Sequence, residues 1–422
     1  MGKIPATHTG SLIRPPKLLS FLAAGERGES YDKAAYLETL RGAVQDVVKR
    51  QIDAGLDIVD DGEMGKASWI TYLYERVSGL EPRTMTLQGA SMMPPSRDRQ
   101  QFPGAYAELD ALDEAAVRES NRAADTSGRE NDAAANQAIE WVCTGPITYD
   151  RTALDRDIAN LRGALEGHDD VQAFMPVVAP ASAYWLSNEH YASEEEFVYG
   201  LADALREEYR AIVEAGFFLQ VDDAVLMHEW DSMLSLGQTD DDYRRWAQLR
   251  VDALNHALEG LPPERIRYHV CWGSWHGPHA YDPPLRETID LILQVNAGYY
   301  AMEQANARHE HEWRVWEDVP LPEGKKLIPG VVTHHTNVVE HPELVAQRLV
   351  RLANVVGKEN VLAGTDCGFA QGAFIHRVHP EIQWAKLAAL AEGARMATRE
   401  LWREGRLASP AIDQRRGDEV PR

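Results

Sequence analysis

The sequence predicts an α/β fold, a (β/α)8 TIM-type barrel, on three observations. An amphipathic helical run, a glycine and a short apolar strand recur along the chain. Eight such strands can be counted, and the chemically unusual residues collect where those strands end. Active sites of such barrels lie at the carboxyl ends of the strands. At 422 residues the chain can hold one large barrel or two ordinary domains. We read it as one domain over 1–422 with an insertion or lid at 82–150.

The predicted strands are 4–11, 56–63, 172–181, 217–223, 266–273, 299–304, 327–334 and 360–368. Residues 35–54 carry apolar side chains at helical spacing, and Gly55 stops that helix before the second strand. Residues 193–215 repeat the pattern, with Ser193 as N-cap before Glu194, Glu195 and Glu196 and Gly216 as the stop. Residues 341–356 do so again and end at Gly357. Between 82 and 150 the pattern lapses into the loop 92–101 and a polar run at 119–137, with 141–149 as the returning strand. A lid over the strand ends and a surface excursion both fit.

Composition excludes some partners. A formal net charge of -23 and a pI near 5.1 argue against nucleic acid or an anionic membrane, both of which need a basic surface. Three cysteines (Cys143, Cys271, Cys367) are too few and too scattered for a disulfide framework, and suit a reducing compartment. With no apolar leader and no 18-residue apolar run, a cytoplasmic protein is expected.

Three strand ends supply a metal-ligand set: His269 and Cys271, Glu303, and Cys367 within Asp366-Cys367-Gly368. A spacing of two on a strand puts His269 and Cys271 on one face. Glu303 closes an otherwise apolar strand, where a buried carboxylate is costly unless paired or metal-bound. One imidazole, two thiolates and one carboxylate suit a single tetrahedral zinc. Two thiolates make that metal electron-rich, better at activating a thiol than at making hydroxide. Other clusters have plainer readings. His309 and His311 with Glu310 and Glu312 read as a hydrogen-bonded or solvated face before a second metal site, and Glu229-Trp230-Asp231 as a surface turn. Trp272, Trp275, His276 and His279 fit either a pocket wall or barrel-mouth packing.

These motifs resemble the catalytic half of cobalamin-independent methionine synthase and its single-barrel relatives, from Thr7-His8-Thr9-Gly10-Ser11 to about Gln371. The resemblance implies zinc on His269, Cys271, Glu303 and Cys367, and no cobalamin. It implies that Gly10 and Ser11 hold an amino-acid carboxylate, that Glu63 and Asp222 hold its amino group, and that His335 is the acid–base histidine. Its neighbour His334 is expected on the opposite face in a structural role. The implied partners are a small thiol, homocysteine, and a methyl donor of the methyltetrahydrofolate type, in methionine biosynthesis. There are departures. The chain has no second barrel, and the folate-facing arginine strand appears as Trp141-Val142-Cys143-Thr144-Gly145-Pro146. The run from Val48 to Glu63 also resembles epoxyalkane:coenzyme M transferase, so epoxide opening by another thiol is the alternative. A non-catalytic zinc carrier is a third.

Overall fold

The computed structural model describes residues 2–26, 29–86, 95–111, 137–182, 186–375 and 377–402. The parallel strands are β1 (Ile58–Val59), β4 (Gln172–Val178), β6 (Phe218–Asp222), β7 (Ile266–Val270), β8 (Tyr299–Met302), β9 (Lys326–Val332) and β10 (Gly364–Thr365). They form one sheet in that order. Alternation along the strands sorts the core. Ile58, Phe174, Phe218, Ala301, Ile328 and Leu362 pack together as one apolar cluster. Their strand neighbours Leu219, Val221, Tyr300 and Leu327 belong to the larger core against the helices.

The predicted helices form, and the first begins earlier than residue 35, at an N-cap not named from the sequence. Asp32 accepts the backbone N–H of Ala34 and Ala35 ahead of the helix Lys33–Ala54, and Gly55 ends it at φ 93°. Ser193 accepts the Glu196 N–H, with Glu194, Glu195 and Glu196 in the first turn of the helix Glu194–Glu214. The helix Pro342–Val356 ends at Gly357.

Three predicted strands are shorter as ladders than the apolar runs that marked them. Residues 4–11 form no ladder. They close the barrel as an irregular stave through the Ala6–Ala363 bridge, Thr7 N–H to Ala363 O (2.9 Å), Ala363 N–H to Pro5 O (2.8 Å) and Asp57 N–H to Ala6 O (2.8 Å). The strand 56–63 pairs only at Ile58 and Val59, then turns as Asp60 and Asp61 cap the N–H groups of Gly62 and Glu63 (2.8 and 2.9 Å). The strand 360–368 pairs mainly at Gly364 and Thr365.

Around the expected insertion at 82–150, β2 (Val77–Thr86) and β3 (Gln137–Tyr149) form an antiparallel pair, to which β5 (Leu186–Asn188) adds in parallel. The expected returning strand is therefore present. The polar run before it and part of the loop at 92–101 lie outside the described residues. Segment 95–111 packs beside the strand ends: Arg97 Nε donates to Asp231 Oδ1 (2.6 Å), and Asp98 Oδ1 accepts the Ala280 N–H (3.0 Å). Glu229-Trp230-Asp231 is not a surface turn. It lies in the helix Ala224–Ser235 with both carboxylates buried, because the inserted segment covers that face. No helix among the described residues is long and apolar enough to cross a membrane.

Candidate metal centre and substrate pocket

His269 and Cys271 leave β7 side by side, and Cys367 follows β10. All three are buried, and their ligand atoms lie within 4.8 Å of one another. The two sulfurs are 4.0 Å apart. Two thiolates on a tetrahedral zinc with bonds of about 2.3 Å sit roughly 3.8 Å apart. Neither ring nitrogen of His269 has a hydrogen-bond partner among the described residues. A buried imidazole orphaned on both sides is expensive, and a metal on one nitrogen relieves it. The hydrogen bond between the two thiols, with His269 beside them acting the same way, holds Cys367 well below the ordinary thiol range against the opposing effect of burial, while that bond and burial push Cys271 up. These three residues fit a zinc ion.

Glu303, the expected fourth ligand, is not drawn into that triad. It follows β8 fully buried, with Oε2 accepting from Asn306 Nδ2 (2.6 Å) and Oε1 without a hydrogen-bond partner among the described residues. Burial, then Asp366 and Cys367, push its carboxyl well up. Asp366 itself ties two strand ends together, since Oδ1 accepts the N–H groups of Gln304 and Ala305 (both 2.9 Å).

The four residues expected to hold the thiol substrate surround the same point. A Cβ on Gly368 would fall 2.2 Å from Ser11 Oγ, so the glycine after Cys367 is demanded by Ser11. Gly10 has φ 129°, and a Cβ there would meet Pro176 Cγ at 3.2 Å and Glu63 Oε1 at 3.3 Å. Glu63 sits at φ 55°, a left-handed conformation uncommon for a non-glycine residue and often found at functional sites. Its carboxyl is pushed up by burial, with Asp60 and Cys367 adding to that and Lys66 and Arg14 opposing it. Asp222 is raised further by burial and then by Glu63, and it accepts from Gln220 Nε2 (2.9 Å).

His335 lines a cavity of about 320 Å³ with Trp275, His279, Glu303, Asn306 and Arg308. Burial, then His276 and His279, lower its pKa to about 4. It is therefore neutral at pH 7. His334 departs from expectation. The ladder ends at Val332, so strict alternation no longer applies, and the two rings meet edge to face at 4.8 Å. His334 is 1 % exposed and neither of its ring nitrogens has a partner among the described residues. His309 follows the plainer reading: it bonds Asp282 and Glu312 (2.9 Å each) and stacks on Trp272.

Sequence reasoning missed some supporting residues. Gln371 Nε2 lies 3.9 Å from Cys367 Sγ, and Lys386 on the helix Pro380–Leu401 donates to Thr333 Oγ1 (3.2 Å) and Glu340 Oε2 (2.9 Å), bracing the segment that carries His335. A lysine among alanines and leucines of a core-facing helix was the one visible hint of that second group.

Residues 181–389 match the family model described as the catalytic domain of cobalamin-independent synthases. The methionine synthase of Thermococcus kodakarensis is 23% identical over 409 residues, covering 96% of this chain and 97% of that protein. That of Pyrococcus furiosus is 22% identical over 410 residues, covering 96% and 95%. A B12-independent methionine synthase from a Shewanella species, solved with selenomethionine, superposes with a TM-score of 0.66 at 18% identity, covering 95% of this chain and 99% of the other. A Listeria monocytogenes protein described as a vitamin-B12-independent methionine synthase gives 0.62 at 19% identity, covering 96% and 100%. The class is thus an α/β barrel of the kind these synthases adopt. Within it, the chain is similar over nearly its whole length to methionine synthases, and its residues 181–389 match the cobalamin-independent catalytic domain, in line with its motifs.

Proposed function

We propose that this chain is a zinc-dependent S-methyltransferase that moves a methyl group from a methyltetrahydrofolate-type donor to the sulfur of homocysteine. The observation that carries the reading is the buried triad of His269, Cys271 and Cys367, with ligand atoms within 4.8 Å, next to a cavity lined by Glu303 and His335. The kinship with methionine synthases supports the thiol and the reaction type.

The triad would hold the zinc, with Glu303 as the fourth donor. When bound, zinc supplies a Lewis acid that favours the thiolate form of the substrate, the nucleophilic one. The other roles belong to the protein's own groups. Glu63 and Asp222 are two buried carboxyls, and Glu63 adds to burial in raising Asp222, so a substrate ammonium beside them relieves that repulsion. The Gly10–Ser11 backbone and the Ser11 hydroxyl lie beside Glu63 and next to Gly368, and suit the substrate carboxylate. His335, neutral at rest, takes the proton that the thiol gives up and returns it to the donor's leaving nitrogen. The balance closes: a sulfur–carbon bond forms, a carbon–nitrogen bond breaks with its electron pair on nitrogen, and one proton passes from sulfur to nitrogen.

The test is zinc-loaded protein with homocysteine and mono- or triglutamyl methyltetrahydrofolate, with methionine followed by mass spectrometry. Methionine formed over many turnovers supports the reading. No methionine from protein that holds one zinc overturns this donor–thiol pairing and moves the assay to epoxides and other thiols.

A further inference from the structure

We propose that Asp98 and Tyr106, carried by the inserted segment 95–111, are positioning residues that set Trp275 in the wall of the cavity and so select the alkyl donor. The inference rests on the reading of that cavity as the donor's place. Trp275 lies on the loop after β7, four residues beyond Cys271, and lines the cavity with Glu303 and His335. Its indole N–H donates to Tyr106 Oη (3.2 Å), and the Tyr106 hydroxyl donates to Asp98 Oδ2 (2.9 Å). The other oxygen of Asp98 accepts the Ala280 N–H (3.0 Å) on the far side of the same loop. Asp98 and Tyr106 are 3% and 5% exposed, so the insertion reaches the loop through buried contacts.

The loop is built around the indole. A Cβ on Gly273 would lie 1.8 Å from Trp275 Cζ3, and one on Gly277 would lie 2.1 Å from Nε1. His279 stacks on the ring at 4.3 Å, and His228 meets its edge at 5.2 Å. His279 holds φ 53°, a left-handed conformation kept by bonds to Asp282 Oδ2 (3.0 Å) and Trp275 O (3.1 Å). Backbone strain persists where surrounding contacts over-determine it, and it concentrates at ligand clamps. Two glycines and a strained histidine around one indole are hard to explain as loop packing. They are explained if the ring's exact place in the wall matters.

The residues assigned to the thiol come from elsewhere: Gly10 and Ser11 from the closing stave, Glu63 from the turn after β1, and Asp222 from β6. Moving Trp275 should therefore weaken the donor and spare the thiol. Fluorine NMR of protein labelled with 5-fluorotryptophan reads the ring directly, and Trp275→Phe identifies its signal among the eleven tryptophans. Tyr106→Phe should shift that signal and raise the KM for methyltetrahydrofolate about fivefold, the scale of one lost hydrogen bond. The KM for homocysteine and the bound zinc should stay within twofold of wild type. Asp98→Ala should act in the same direction and more strongly. Asp98→Asn should largely restore both readouts, because an amide can accept from Ala280 N–H and donate to Tyr106 Oη. An unmoved fluorine signal in Tyr106→Phe and Asp98→Ala overturns the proposal, as does a donor KM that does not change or changes in step with that of the thiol. If wild type makes no methionine, the proposed function fails. The fluorine signal then still decides the positioning, which falls if that signal stays put.

Discussion

Cys367 belongs to the buried triad and His335 to the cavity that Glu303 also lines, and the proposed roles separate them cleanly. Cys367→Ser removes a thiolate ligand and should lower zinc affinity by more than the roughly 10–100-fold typical of a lost supporting contact, and abolish turnover with it. His335→Ala should keep zinc and lose about 10²–10⁴ in kcat, the usual worth of a general acid–base group. Metal content by atomic emission beside the methionine assay checks both, and full zinc in the serine variant would remove Cys367 from the ligand set. Asp61 offers a test through pH. Burial, then Asp60, raise its pKa to about 7. Between about pH 4 and 7 the folded chain thus keeps a proton that the unfolded chain releases, so stability falls as pH rises through that window. Asp61→Asn keeps an acceptor for the Glu63 N–H and should match wild type near pH 4. At pH 8 it should exceed wild type by about 1–3 kcal/mol in urea unfolding; equal stability at pH 8 would mean the buried charge costs nothing. Much of the site was legible because strand alternation sets His269 and Cys271 on one face wherever the strand lies. Two features escaped for the same physical reason. Beyond Val332 and Val59 the ladders stop, so neither the burial of His334 nor the left-handed turn at Glu63 follows from a period of two.

Helices were easier to read than strands, because their ends carry local chemistry: Ser193 caps, and Gly55 turns with positive φ. An apolar run marks a buried strand but not where its pairing ends. Residues 360–368 look continuous in sequence and pair mainly at Gly364 and Thr365 because the barrel mouth diverts the rest into the site. Contacts between distant elements were invisible from any single segment. The helix Pro380–Leu401 is the clearest instance, since its Lys386 is fully buried against Glu340 and Thr333. Breaking such a pair by removing one partner leaves an uncompensated buried charge, at about 3–5 kcal/mol. Lys386→Met should lose about that much in denaturant unfolding. The double variant Lys386→Met/Glu340→Leu should recover a good part, because the desolvation cost goes with both charges. If the single variant is as stable as wild type, the pair does not anchor this helix to the end of β9.

The barrel as a whole closes through its least regular stave, and that stave also carries Gly10 and Ser11. Few backbone bonds hold it, so side chains inside the barrel share the task. Arg267 lies inside, 1% exposed, with its guanidinium 3.8 Å over Phe174. It donates to Thr7 Oγ1 (3.1 Å) and to His8 O (2.7 Å). Gln220 adds a bond to Thr9 O (2.6 Å), and Thr9 Oγ1 donates to Thr365 O (2.9 Å) on the other side. A charged group at this depth is costly; its hydrogen bonds to the stave are what offset that cost. Arg267→Met keeps most of the volume and removes both donors, leaving two buried acceptors on the stave unpaired. Stability should fall by about 2–4 kcal/mol. The loss should be uneven across the molecule: hydrogen exchange at Thr7 and Ala363, whose N–H groups bond across the closure, should accelerate more than exchange within β6, β7 and β8. On the proposed roles, the KM for homocysteine should rise while that for the donor holds, because the loosened stave carries Gly10 and Ser11 while segment 95–111 braces Trp275. Uniform acceleration of exchange with both KM values unchanged would show that closure is not coupled to the site, and that Arg267 only fills the barrel.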